Sequence, residues 1–162
     1  METLMKRALD IAHLFDVPRG EMACEPYGTG NINDTFCLTV RPWTGAARRY
    51  ILQRVNRYVF PDPEPMMGNI QRVTHYLRGV IAREGGDPAR ETLTLVRAMD
   101  GRPWITDASG DLWRVYLFIE GTVSTDMPDS PEMFAAAGEA FGRFQRQLGG
   151  FDAATLHPTL PD

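Results

Sequence analysis

The sequence has little of what marks several large functional classes. It contains no apolar run approaching the roughly 18 to 20 residues of a membrane span, and residues 1–15 carry Glu2, Lys6, Arg7 and Asp10 where a signal peptide requires an unbroken apolar stretch. A cytoplasmic protein with no membrane partner is expected. Positive charge is not in excess: the formal net charge is -4 and the arginines are scattered, so the field that counterion-driven nucleic-acid binding needs is missing. Nucleic acid is not an expected partner. The two cysteines, Cys24 and Cys37, lack the close spacing of a zinc site and are too few for a secreted disulfide framework, so they read as half-buried thiols in strands. His13, His75 and His157 have no acidic or cysteine companions at ligand spacing and read as surface or helix-face histidines. No Gly-x-x-x-x-Gly-Lys-Ser/Thr run is present, which excludes a Walker-type phosphate loop.

What is present is an ordinary globular composition, 43% hydrophobic and 23% charged over 162 residues, enough for one sizeable core and a small second unit. Leu4, Ala8, Ile11 and Phe15 repeat at helical spacing and predict an opening amphipathic helix that ends near residues 16–20. Phe36, Leu38 and Val40 alternate with Thr35, Cys37 and Thr39, so 35–40 is predicted as a strand, preceded by a shorter one at 22–27. Between them lies Tyr27-Gly28-Thr29-Gly30-Asn31-Ile32-Asn33-Asp34. Its glycines permit positive φ and close backbone approach, and they suit either an ordinary hairpin turn or a phosphate loop.

A third strand is predicted at 49–56. Alternation puts Gln53 on the face of Ile51 and Val55, and Arg54 on the other face with Leu52. The proline-rich 60–65 leads into a helix carrying Met66, Ile70, Val73 and Leu77, with Met66 and Met67 as core, which stops by Gly85 and Gly86. Three short strands follow at 93–98, 103–106 and 112–119, for a sheet of five or six strands. Residues 121–130 read as an acidic linker with Asp126 and Asp129. Ser130-Pro131-Glu132 then supplies a cap, a proline at the first helical position and an early acid for a last helix with Phe134, Phe141, Phe144 and Leu148 on one face.

The order of these pieces is that of the smaller lobe of a protein-kinase-like fold, an α+β arrangement in which backbone amides in a glycine loop, a side chain on the third strand and an extended linker converge on a nucleotide. Four segments carry a closer likeness: 27–35 with Gly28, Thr29 and Gly30; Arg49-Tyr50-Ile51-Leu52-Gln53-Arg54-Val55-Asn56; Trp113-Arg114-Val115-Tyr116-Leu117-Phe118-Ile119-Glu120-Gly121; and Ala137-Gly138-Glu139-Ala140-Phe141-Gly142-Arg143-Phe144-Gln145. Together they resemble N-acetylhexosamine 1-kinases of the aminoglycoside phosphotransferase superfamily.

The resemblance implies a nucleotide-binding lobe over 1–120, a hinge or linker over 121–130, and the start of a helical lobe over 131–162. It implies ATP and Mg2+ as cofactors and a sugar as substrate. Adenine would lie against the end of the 112–119 strand, with the Leu117 carbonyl accepting from its amine, the Ile119 amide donating to its ring and Tyr116 bordering the back of the pocket. Composition alone reads the same stretch as a buried strand. Gln53 takes the place of the phosphate-pairing lysine of protein kinases, while Arg54 is chemically the better phosphate ligand or else a surface ion-pair residue, and both stay candidates. Asn31 stands where members of the family can carry a histidine that faces the sugar, a departure that bears on the acceptor.

The residues after Gly121 contain no His-Gly-Asp or His-Asn-Asp loop and no Asp-x-Asp pair. No catalytic or metal-binding residue is therefore expected in this chain, which ends at Leu160-Pro161-Asp162 without a closing element and is expected to be a fragment of a longer enzyme, inactive alone. Self-association through the helix face of Phe134, Phe141, Phe144 and Leu148 is also expected. The competing readings are a non-catalytic nucleotide-binding or protein-interaction module, and a kinase for an aminoglycoside or amino alcohol.

Overall fold

Alternating apolar residues in the centre of the chain build a sheet whose two faces differ. In the computed structural model, which describes residues 2–30, 32–123 and 127–159, the order is α1 (Glu2–Ala12), β1 (Gly20–Pro26), β2 (Asp34–Pro42), β3 (Arg48–Arg54), α2 (Pro63–Arg83), α3 (Pro88–Glu91), β4 (Leu95–Val96), β5 (Ile105–Thr106), β6 (Leu112–Leu117) and α4 (Pro131–Leu148), followed by a 3-10 turn at Ala153–Thr155. The protein is thus α+β, with an antiparallel sheet of six strands in the order β1-β2-β3-β6-β4 and β5 paired to β6. Asn31 and Asp126 lie outside the described residues.

The first face is the main core. Phe36, Leu38 and Val40 of β2, Tyr50 and Leu52 of β3, and Trp113 and Val115 of β6 point to it, and α1 covers it with Ala8, Ile11 and Ala12. The second face carries the intervening residues. One end of it packs Val55 and Leu112 against Met67 of α2, with Met66 and Ile70 alongside. This smaller core leaves the rest of the second face to Thr35, Cys37, Ile51, Gln53, Arg114 and Tyr116, which the strand registers place side by side.

Helix α1 ends earlier than its apolar repeat. The amide of Leu14 closes on the Ile11 carbonyl at 3.0 Å, and Phe15 forms an isolated antiparallel bridge with Ala98 while its side chain is buried in the main core. Helix α4 starts where its cap predicts: the Ser130 hydroxyl accepts from the Met133 amide at 3.2 Å and Pro131 opens the helix. It touches α2 near its C-terminal end, where Arg146 and Gln147 both donate to Glu84, and the rings of Tyr76 and Phe151 meet edge to face. Phe134 and Phe141 remain 66% and 63% exposed, so most of the apolar face of α4 is uncovered in this chain. No helix of the described residues is long and apolar enough to cross a membrane.

Candidate functional site

The β1–β2 connection stands clear of the sheet, with Gly28, Thr29 and Gly30 all exposed. Its ends are fixed: the Tyr27 amide donates to the Thr35 carbonyl at 2.9 Å, and Asn33 Oδ1 accepts from the Asn56 amide at 3.0 Å. The two glycines serve different needs. Gly28 has φ +80°, which an L side chain adopts only at a cost of about 1–2 kcal/mol. Gly30 has no such φ, and a Cβ built there would meet nothing within 4 Å, so the fold itself does not require glycine at this position.

This separation yields a test. Gly28→Ala should lower stability by about 1–2 kcal/mol, whereas Gly30→Ala should change it by no more than about 0.5 kcal/mol yet weaken binding of ATP if the loop backbone approaches phosphate. Denaturant midpoints and ATP titrations of both variants check this. Full ATP binding by Gly30→Ala would remove that loop position from the site.

Gln53 and Arg54 part to opposite faces. Arg54 donates to Asp34 Oδ2 at 2.8 Å and to Asp111 Oδ2 at 3.2 Å, and Asp111 also pairs with Arg7 at 2.7 Å. Beside it opens a cleft of about 780 Å³ that Arg54 shares with Gly30, Asn33, Asn56, Arg57 and Tyr58. The structure therefore brings Gly30 and Arg54 together, but two carboxylates already match the charge of Arg54.

On the second face Gln53 lies between Thr35 and Arg114, its neighbours in register. Its Oε1 accepts from Arg114 Nε at 3.0 Å and Nη2 at 2.8 Å, and its Nε2 donates to Thr35 Oγ1 at 2.9 Å. A guanidinium can only donate, so it fixes which end of the amide faces it. Thr35 Oγ1 in turn donates to the Asn33 carbonyl at 3.4 Å, carrying the chain of bonds to the glycine connection. Tyr116 lies next along the strand, with the Arg114 guanidinium carbon 5.8 Å from its ring centre. Burial raises its hydroxyl pKa, and Arg114 opposes the shift. Arg114 was not a sequence candidate; its one sign is a charge at an inward position of an otherwise apolar strand.

The β6 ladder stops at Leu117, two residues short of the predicted strand, so Phe118 and Ile119 lie in the segment that follows it. The Leu117 amide donates to the Thr94 carbonyl at 3.0 Å and the Phe118 amide to the Arg49 carbonyl at 3.2 Å, whereas the Ile119 amide makes no hydrogen bond among the described residues. Arg49 holds the linker from below. Its guanidinium carbon sits 4.0 Å from the Phe118 ring centre, and its side chain pairs with Glu120. Arg90 Nη1 donates to the Glu120 carbonyl at 2.9 Å. The ring of Tyr27 meets that of Phe118 edge to face at 5.4 Å, which joins the start of the glycine connection to the linker. The partnerships of Arg49 and Arg90 with this segment join residues far apart in the chain and leave no local sign in the sequence.

Among the described residues no group of three or more histidine, cysteine or acidic side chains could hold a metal ion. Cys24 and Cys37 are free and buried, and burial pushes the Cys24 thiol up to about 11, which leaves little nucleophilic thiolate. No protein-family model matches the chain.

Proposed function

We propose that this chain is the nucleotide-binding portion of an ATP-dependent small-molecule phosphotransferase with a protein-kinase-like smaller lobe, the complete enzyme phosphorylating a hexose or N-acetylhexosamine at its anomeric hydroxyl. The observation that carries the reading is the Tyr27–Phe118 contact. Through it an exposed glycine connection and a linker with an unengaged Ile119 amide meet along the second sheet face, where Gln53 and Tyr116 also lie. A purine stacks on aromatic surface and pairs with backbone amides, while phosphates take glycine-loop N–H groups. Gly30 is exposed and a Cβ there would meet nothing within 4 Å, so its backbone is open to an approaching phosphate.

Among the described residues no group of three or more histidine, cysteine, aspartate or glutamate side chains is placed to hold a metal ion, and no Mg2+ ligand is assigned to this chain. The roles left to this chain are to bind and orient the nucleotide: Leu117 and Ile119 at the adenine edge, Tyr116 behind it, and Gly28, Thr29 and Gly30 over the phosphates. The ion pairs of Arg54 favour the structural alternative for that residue over phosphate contact.

The test of the substrate class is an assay of the full-length protein with ATP and magnesium against a panel of sugars, aminoglycosides and amino alcohols. Phosphorylation of a hexose or N-acetylhexosamine is the expected outcome, with no turnover by the 162-residue chain alone. Activity on an aminoglycoside or choline-like acceptor and on no sugar would overturn the acceptor while leaving a phosphotransferase. A protein-interaction module is the second reading, favoured by the exposed phenylalanine face of α4.

A further inference from the structure

Arg114 is a half-buried cation in an unusual position. It projects from β6 onto the second face, between Gln53 and the α2 residue Met67. A guanidinium has five N–H donors. Two of them share the single oxygen Gln53 Oε1, and Nη1 reaches only the weak acceptor Met67 Sδ at 3.7 Å. No carboxylate lies within ion-pair distance of it among the described residues, whereas Arg7, Arg41, Arg49, Arg54, Arg102 and Arg146 each have at least one. Burial lowers its pKa from the usual guanidinium value, with Tyr116 opposing, yet a guanidinium stays protonated at neutral pH. A charge withdrawn from water without a counter-charge is costly unless an anion completes it.

The place of this charge is informative. Gln53 stands next to the glycine connection through Thr35 and Asn33, and it is too weak a group to anchor phosphate, being neutral. Its carbonyl is committed to Arg114 and its amide to Thr35. The result is a rigid relay that fixes the orientation of the guanidinium fork relative to the loop backbone. Arg54, the other candidate cation, points to the opposite face and is matched by Asp34 and Asp111.

We infer that Arg114 is the phosphate-binding cation of this site, held in place by Gln53, and that it takes a terminal phosphate oxygen of a bound nucleotide. The inference rests on the nucleotide reading given above and adds to it the residue that supplies positive charge. Guanidinium and phosphate match geometrically through paired N–H···O bonds, and such charge-assisted bonds are about twice as strong as neutral ones. Gln53 is a positioning residue: its loss should blur the fork without removing the charge.

The experiment is a nuclear magnetic resonance titration of the 15N-labelled 162-residue chain with three separate probes: inorganic tripolyphosphate, ADP and adenosine. The readouts are the arginine Nε–Hε resonances and the backbone amides. The Arg114 resonance should move with tripolyphosphate and with ADP and stay in place with adenosine. Arg114→Met should weaken ADP binding by about tenfold or more without altering adenosine binding, and Arg114→Lys should recover part of the loss because charge returns without the fork. Since the wild-type resonance is read directly, a misfolded variant does not shield the inference. A phosphate response at Arg54 or Arg57 with none at Arg114 overturns it. Adenosine and ADP shifts at 117–119 with a silent Arg114 also overturn it and leave the nucleotide reading standing. If no probe perturbs any resonance, both fall together.

Discussion

Replacing Asp107 with alanine is expected to cost this chain about 3 kcal/mol or more, a large share of the roughly 5–15 kcal/mol that separates a folded domain from its unfolded state. The Asp107 carboxylate is only 8% exposed and gathers donors from three parts of the molecule. Trp113 Nε1 donates to it at 2.6 Å, Arg7 Nε at 2.8 Å, and the Ser109 and Asp111 amides at 2.9 and 3.1 Å. Truncation leaves the indole N–H and the guanidinium without their acceptor in a partly buried place and loosens α1 from the β5–β6 turn. Asp107→Asn keeps the volume and one acceptor and should cost less.

The same group sets a pH dependence. Burial by itself would raise the Asp107 pKa, but the hydrogen bonds from Trp113, Arg7 and the backbone outweigh it together, and the pKa lies below its ordinary value. With the native pKa lowered, the unfolded chain binds the proton first as pH falls. The stabilisation is therefore complete above about pH 4, the ordinary aspartate range, and fades as pH drops through the lowered native value. Denaturant midpoints of wild type and Asp107→Asn across acidic pH should converge as the pH falls. Parallel curves for the two proteins would show that Asp107 is not the group responsible.

Trp113→Ala should be at least as damaging, at about 3–5 kcal/mol for loss of a fully buried indole. The ring lies in the main core, stacked near Phe36 with centroids 6.4 Å apart and with the Arg7 guanidinium carbon 5.7 Å from its centre. Trp113→Phe keeps most of the ring but removes the donor to Asp107. Because the indole and the carboxylate share one bond, the double variant Trp113→Phe with Asp107→Asn should cost less than the sum of the single changes. Equilibrium unfolding of all four proteins measures that difference. Simple additivity would mean that the Trp113–Asp107 hydrogen bond contributes nothing, and the loss in Trp113→Ala would then be packing alone.

Much of this fold was legible in the residue pattern, for a physical reason. Strand β2 is read correctly because Phe36, Leu38 and Val40 share the face of the main core while Thr35, Cys37 and Thr39 lie on the other face, where Cys37 is buried as well. The Ser130–Pro131 cap marks its helix to the residue because a cap is a local device. The apolar spacing of α1 continues to Phe15 and predicts a longer helix, although the chain has already turned there to bridge Ala98. Helix α3 escaped notice because four residues are too few to show a period, though Asp87 and Pro88 repeat the signature seen at Ser130.

The candidate site divides in the same way. Alternation alone separates Gln53 from Arg54, and the two glycines announce a connection with unusual backbone freedom. What makes Gln53 meaningful is Arg114, 61 positions later in the chain, and what holds the linker is Arg49 beneath Phe118 and Glu120. Partnerships of that span arise only when strand order is known, because β3 meets β6 across the sheet with α2, α3, β4 and β5 lying between them in sequence.

The most direct test of the nucleotide reading is a titration of ATP into the 162-residue chain while the backbone amides are followed one by one. On that reading weak, saturable shifts are expected at 28–30, 53, 114 and 116–119, among them the Ile119 amide and the amides of the glycine connection. Shifts confined to other surfaces, such as the exposed ring of Trp43 and its neighbours, or no shift at all, would contradict it.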